Sequence, residues 1–280
     1  MKWGEFDLKL ISDGRFWLDA GAMFGVVPKT LWQKRTVPDE QNRIPLALNC
    51  LLVQTGQTKI LIDTGCGFKY TDKQKKIYRI EHSTDVLQEL ARFNVTPEQI
   101  DFVINTHYHF DHCGGNTRVE GDIIAPTFPN ATYLVRREEY EDASQPNERT
   151  RATYLSENWK PLEERGQLSL VDDNIEVVPG VHLVSTPGHT AGHQSVKLES
   201  SQGIFFYLAD LCPTSSHIPL PWIMAYDLYP MTTLEVRRQI YYEAARNNWL
   251  LFFEHDPEVT LGYLRYKNKK YCLETVSWED

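Results

Sequence analysis

The stretch "NTHYHFDHCGGN", residues 105–116, sets His107, His109, Asp111 and His112 within six positions. Neutral imidazole nitrogens and carboxylate oxygens are the donors that borderline-soft divalent ions such as Zn²⁺ take, at about 2.0–2.2 Å. In extended backbone the two rings of His-x-His alternate across faces, so both reach one ion only if the loop bends. Asp111 and His112 are adjacent and are expected to point away from that pair, towards a second ion. A lone pair of this kind is common without a metal; the rest of the chain must complete it.

The elements that position these residues are readable as apolar runs. "DFVIN" leads into His107, His109, Asp111 and His112, "VHLVSTPG" into His189, "GIFFYLA" into Asp210, and "WLLFFE" into His255. Packed α/β sheets build their sites just past the C-terminal ends of strands. Seven donors are too many for one tetrahedral ion and suit two ions ~3.5–4 Å apart that share a carboxylate. Two divalent ions per chain are expected, zinc first, with iron, manganese or cobalt as alternatives. Such a pair activates a bridging water to hydroxide near neutral pH, against a pKa of about 15.7 for free water, and polarises a carbonyl or phosphoryl group. The chemistry that follows is hydrolysis of an ester-like bond without a covalent enzyme intermediate.

The remaining pattern is mixed, which indicates an α/β class and one domain over 1–280. "LKLISDGRFWLD" reads as a hairpin turning at Asp13-Gly14, and "LALNCLLVQTGQTKILIDTG" as one turning at Gly56-Gln57. Val86, Leu87, Leu90 and Phe93 fall at helical spacing in "STDVLQELARF". Capping boxes at Thr96–Gln99 and Thr232–Glu235 predict a short turn before "DFVIN" and the start of the helix "LEVRRQIYYEAARNN". Residues 20–45 are too long and too apolar for a routine turn, and loops of that length are usually functional.

Composition narrows the class. A net charge of −9, from 29 basic and 38 acidic residues, argues against a general phosphate-backbone binder. Lys73 to Lys76 is the densest basic run and reads as a solvated face. Five cysteines without a CxxC pair fit free thiols in a reducing cytosol. The start "MKWGEFDLKLIS" is not a signal peptide, and no stretch approaches the ~18 apolar residues of a membrane span. The expectation is a soluble, cytoplasmic protein acting on a small molecule, with no nucleic-acid or membrane partner and with a homodimer as one option.

"THYHFDHCGG", "LIDTG", "STPGHTAGH", "LAD" and "FEH" resemble, in order and character, the metallo-β-lactamase superfamily of metallohydrolases, over about residues 45 to 256. The resemblance implies a four-layer αββα sandwich with a dinuclear site along one edge of the two facing sheets. It implies His107, His109 and His189 on one metal, Asp111, His112 and His255 on the other, and Asp210 between them. Asp63 would orient ligands from behind, and Asp111 would pass a proton to the leaving group. The ligand set retains His109 and has no cysteine immediately before His189, unlike the redox and β-lactam-cleaving branches.

Substrate choice must come from loops. Residues 20–45 offer Met23, Phe24 and Trp32, and residues 212–230 offer Trp222, as an apolar wall. Within the superfamily the chain is most similar to the quorum-quenching N-acyl-homoserine-lactone lactonases, which implies lactone opening by a metal-bridging hydroxide. Related enzymes acting on organophosphate triesters, aryl esters or glutathione thioesters are the alternative; a nuclease or a non-catalytic metal binder is a weaker one. The best-known lactonases place a substrate-contacting tyrosine three residues after the bridging aspartate, where this chain has Pro213. His217, then Tyr226, are the candidates to replace it as catalytic groups. His193 reads as a support or a structural residue, His82 and His182 as ordinary, and Cys113 and Cys212 as small buried thiols.

Overall fold

The computed structural model describes residues 1–279. Contacts divide the chain into two compact units: Met1–Gly14 with Leu48–Asn174, and Arg15–Ala47 with Ile175–Asp280. One seven-stranded sheet runs in the order Lys2–Trp3, Phe6–Asp19, Arg43–Thr55, Thr58–Ile62, Phe102–Ile104, Thr132–Arg136, Leu168–Val171. Its last three pairings are parallel. Parallel neighbours need crossover connections, and helix Val86–Arg92 lies in the first of them. Asp85 caps that helix by accepting from the Gln88 N–H at 2.9 Å. Val86 and Leu90, one turn apart, enter a core with Leu52, Leu61, Val103 and Tyr133, and Leu87 and Phe93 pack against it. Each such aliphatic burial contributes ~1.5–3 kcal/mol.

The second sheet is ordered as the chain runs: Glu176–Val178, Val181–Ser185, Gln194–Ser200, Gly203–Tyr207, Leu250–Phe252, Leu261–Lys267, Lys270–Val276. Only Gly203–Tyr207 with Leu250–Phe252 is parallel, and the 18-residue helix Pro230–Asn247 makes that crossover. Its buried Tyr241 and Ala244 pack with Phe206, Leu251 and Leu264.

Two sequence expectations need correction. Asp13-Gly14 is not a turn, because the strand Phe6–Asp19 runs straight through it. Gly14 has φ +89°, and a Cβ there would lie 2.3 Å from the Glu81 carbonyl oxygen. Asp13 is buried and accepts from the Gly67 N–H at 2.9 Å. The pair marks a close backbone approach, not a reversal. The helix expected to begin at Thr232 starts instead at Pro230. Proline pre-sets the first helical φ, and the Thr233 N–H already bonds the Tyr229 carbonyl at 3.0 Å. The turn at Gly56-Gln57 is as read, with Thr55 paired to Thr58, and the Thr96–Gln99 capping box forms in full.

Gly14→Ala should therefore lower the denaturation midpoint without changing the denaturant slope. The left-handed backbone alone costs an alanine about 1–3 kcal/mol, before the clash with Glu81. Equilibrium unfolding of the two proteins measures it, and an unchanged midpoint contradicts the close-approach account.

Candidate metal centre

In the first unit, strand Phe102–Ile104 delivers Asn105, whose N–H bonds Leu134 O at 3.0 Å, and then Thr106, whose N–H bonds Asp63 Oδ1 at 2.8 Å. The chain then bends. Tyr108 turns into a core with Trp159 and Tyr154 while its N–H is taken by Glu139 at 2.9 Å. That bend brings His107 Nε2 and His109 Nδ1 to 3.1 Å. The short helix Phe110–Cys113 follows, with His112 Nε2 3.8 Å from Asp111 Oδ2. The "CGG" that ends it is a steric requirement: a Cβ on Gly114 would stand 1.9 Å from Cys66 O.

Asp63 organises this set. It follows strand Thr58–Ile62 with φ +56°, a strained value for aspartate. Its Oδ2 accepts from the Thr106 hydroxyl at 2.7 Å and meets His112 Nδ1 at 3.1 Å. Since the Thr106 hydroxyl donates to Asp63, it accepts from His107 Nδ1, 3.1 Å away. Assigned this way, Nδ1 carries the proton and Nε2 presents a lone pair.

In the second unit Asp210 is the hinge of the arrangement. Its Oδ2 lies 3.0 Å from His189 Nε2 and its Oδ1 3.3 Å from His255 Nε2, one oxygen to each ring. Asp210 sits in the turn Ala209–Leu211 just past strand Gly203–Tyr207, and Ala209 takes φ +48° to make it. His255 Nδ1 faces the Ala47 carbonyl at 2.8 Å, which can only accept. His189 Nδ1 faces Asp227 Oδ1 at 2.9 Å. Asp227 is buried, and the backbone aims it: Leu228 N bonds His189 O at 3.0 Å and Tyr229 N bonds Gly188 O at 2.8 Å. Sequence reasoning missed Asp227. Its only signal is a position seventeen residues after Asp210, inside a loop valued for its aromatics.

In both units a histidine's outer nitrogen is held by a carboxylate, hydroxyl or carbonyl, which fixes the ring and turns its other nitrogen inward. The nitrogens turned inward face another ring in the first unit and the Asp210 carboxylate in the second. That donor set fits a divalent cation, and these His/Asp clusters could bind one.

Comparison with known proteins places the chain. The pattern of the metallo-beta-lactamase superfamily matches residues 43–262. A probable metal-dependent hydrolase from Staphylococcus aureus has the same fold, with a TM-score of 0.88 and 32% identity over 99% of this chain and 100% of that one. The chain belongs to the metallo-beta-lactamase superfamily. Its α/β sandwich fold and its standing as a hydrolase follow from that membership, in a superfamily that uses divalent metals. An N-acyl homoserine lactonase of Bacillus cereus is 27% identical over 234 residues, 79% of this chain and 86% of that one. One from Bacillus thuringiensis is 32% identical over 163 residues, only 58% of its length.

The residues expected to meet substrate fare differently from the metal-type donors. His217 is fully buried, its Nδ1 2.7 Å from the Thr214 hydroxyl and its Nε2 2.9 Å from Met23 O. Both ring nitrogens are used, so His217 clasps Thr214 to the Met23 carbonyl. Met23, Phe24 and Trp32 are not an open wall either, being at most 2% exposed. Phe24 stacks on Trp32 at 5.3 Å and on His217 at 4.6 Å, with Trp222 edge-on at 5.7 Å. Apolar loop residues close to one another pack before they line anything. Trp222 is half-buried under the Arg35 guanidinium. Tyr226 is half-buried, one residue before Asp227. His193 bonds Thr186 through Nδ1 at 2.9 Å, and Cys113 and Cys212 are buried thiols whose pKa burial raises. Among the described residues no helix is long and apolar enough to cross a membrane.

Two outcomes follow. Asp227→Ala should leave the fold intact and weaken divalent-ion affinity about 10–100-fold, read by chelator competition; unchanged affinity would remove Asp227 from the metal's support. His217 is held neutral, its pKa pushed down to about 3, first by burial and then by the Arg237 charge. The folded value lies below the unfolded one, so unfolding takes up a proton between pH ~6.5 and ~3. Its share of stability is whole above that window and falls by about 1.4 kcal/mol per pH unit within it. His217→Phe, which retains the ring stack, should flatten that slope in acid unfolding of metal-free protein.

Proposed function

We propose that the two ligand sets act as one dinuclear centre, and that the protein is a lactonase opening N-acyl homoserine lactones. The observation that carries the first part is Asp210, with one carboxylate oxygen on each of two histidines. The lactonase relatives support the second. His107, His109 and His189 would hold one ion, Asp111, His112 and His255 the other, and Asp210 both. Ions bound there supply Lewis acidity towards an ester carbonyl and acidify a water. The chain's own residues do the rest. Asp63, Asp227, Thr106 and the Ala47 carbonyl fix ring orientation and tautomer. Asp111, 7% exposed, would hand a proton to the departing alkoxide. Tyr226, the second candidate after His217, would hydrogen-bond the substrate carbonyl where Pro213 cannot.

The test is a panel of N-acyl homoserine lactones, phosphotriesters, thioesters and aryl esters, ranked by kcat/KM on metal-reconstituted protein. About two divalent ions per chain, zinc as isolated, and a lactone at the head of the ranking are expected. Tyr226→Phe should cost ~10²–10³ in kcat with metal content unchanged. A phosphotriester cleaved faster than every lactone overturns the substrate assignment. Failure to bind metal after reconstitution overturns the whole reading.

A further inference from the structure

The first unit holds a cavity of about 280 Å³ whose lining includes none of the seven metal-type donors. Val86, Leu87 and Val119 give it apolar walls. Lys69 belongs to its lining. Lys69 Nζ donates to the Gly114 carbonyl and, at 2.7 Å, to the Thr117 carbonyl, which uses two of its three N–H donors. Burial holds its pKa down to about 8, against the opposite pull of nearby Glu157 and Asp13.

Thr127 also belongs to the lining. Its hydroxyl is buried and has no hydrogen-bond partner among the described residues, a costly condition that calls for a ligand or a water. Lys69 and Thr127 are neighbours by backbone: Thr127 N bonds the Asn116 carbonyl at 2.8 Å, and Lys69 bonds the carbonyl of the next residue, Thr117. The other charged groups on the cavity are already engaged. Asp13 accepts from the Gly67 N–H at 2.9 Å and lies 3.5 Å from His82 Nε2. Asp85 caps the helix at Gln88 N, and Arg118 is paired with Glu120 at 2.6 Å. Arg118 turns Nε and Nη2 to Glu120, and Lys69 keeps one N–H donor to offer.

We propose that this cavity binds a small molecule carrying one carboxylate on a short apolar body. One carboxylate oxygen takes the third N–H of Lys69, the other takes the Thr127 O–H, and the body lies against Val86, Leu87 and Val119. A phosphate would bring more charge than one ammonium answers and no surface for the apolar walls. The volume, at the small end of ligand pockets, limits the body to a few carbons.

Calorimetric titration of the full, metal-loaded chain with hexanoate, against 1-hexanol and hexanamide, tests it. Hexanoate should bind saturably at one site, at least tenfold more tightly than either neutral compound. Lys69→Met should weaken hexanoate at least tenfold, and Thr127→Val, equal in shape but lacking the hydroxyl, several-fold. Asp210→Asn should leave that affinity unchanged. Loss of binding in Asp210→Asn with retention in Lys69→Met places the carboxylate on the metals and overturns the proposal. So does equal affinity for hexanol, or the absence of saturable binding. Circular dichroism checks that Lys69→Met folds; if it does not, full affinity in Thr127→Val is itself the refutation.

Discussion

A histidine ring in a protein interior points somewhere only if its second nitrogen is tied down. His107, His112, His189 and His255 are tied through Nδ1 to Thr106, Asp63, Asp227 and Ala47 O respectively. Each partner is held in turn. Asp63 is fixed by the Thr106 N–H and hydroxyl, Asp227 by the backbone pairing of 228–229 with 188–189, and Ala47 by its own N–H on His255 O at 3.0 Å. Unpaired, any of these buried groups would cost the fold about 1–3 kcal/mol. Paired, they turn that liability into orientation.

The apolar segment 20–45 serves the same end from a distance. Ala225 N bonds Ala22 O at 2.8 Å, His217 bonds Met23 O, and Gly25 lies against the Ile223 carbonyl so closely that a Cβ would stand 2.4 Å from it. Buried Arg237 donates to the carbonyls of Leu211 and Trp222. Loop 212–230 is thus clamped at several points, and Asp227 lies within it. The aromatic stack of Phe24, Trp32 and His217 is the packing that makes the clamp stiff.

Local order was legible wherever one residue type had one physical use. The four-residue ligand run, the apolar strands before each donor, the helix at Val86 and Leu90 and the Gly56 turn each rest on interactions a few residues long. Asp13-Gly14 misled because a positive-φ glycine serves a turn and a close chain crossing equally well. Only the presence of Glu81, far along the chain, decides between them. Phe24 and Trp32 misled for the same reason, since an apolar side chain in a loop carries no mark of whether its neighbour will be a ligand or another ring.

The sequence by itself determined the chemistry on offer: which side chains could hold a metal cation, that they follow strands, and that the family is one of hydrolases. Donor atoms are rare and costly to bury, so their spacing is seldom accidental. Tertiary structure alone decided which nitrogen each ring presents, that Asp227 meets His189 while His217 meets Met23, and that Lys69 and Thr127 share a cavity. Most of those depend on hydrogen bonds between residues far apart in the chain, as in His189 with Asp227 and His217 with Met23, and no local pattern encodes them.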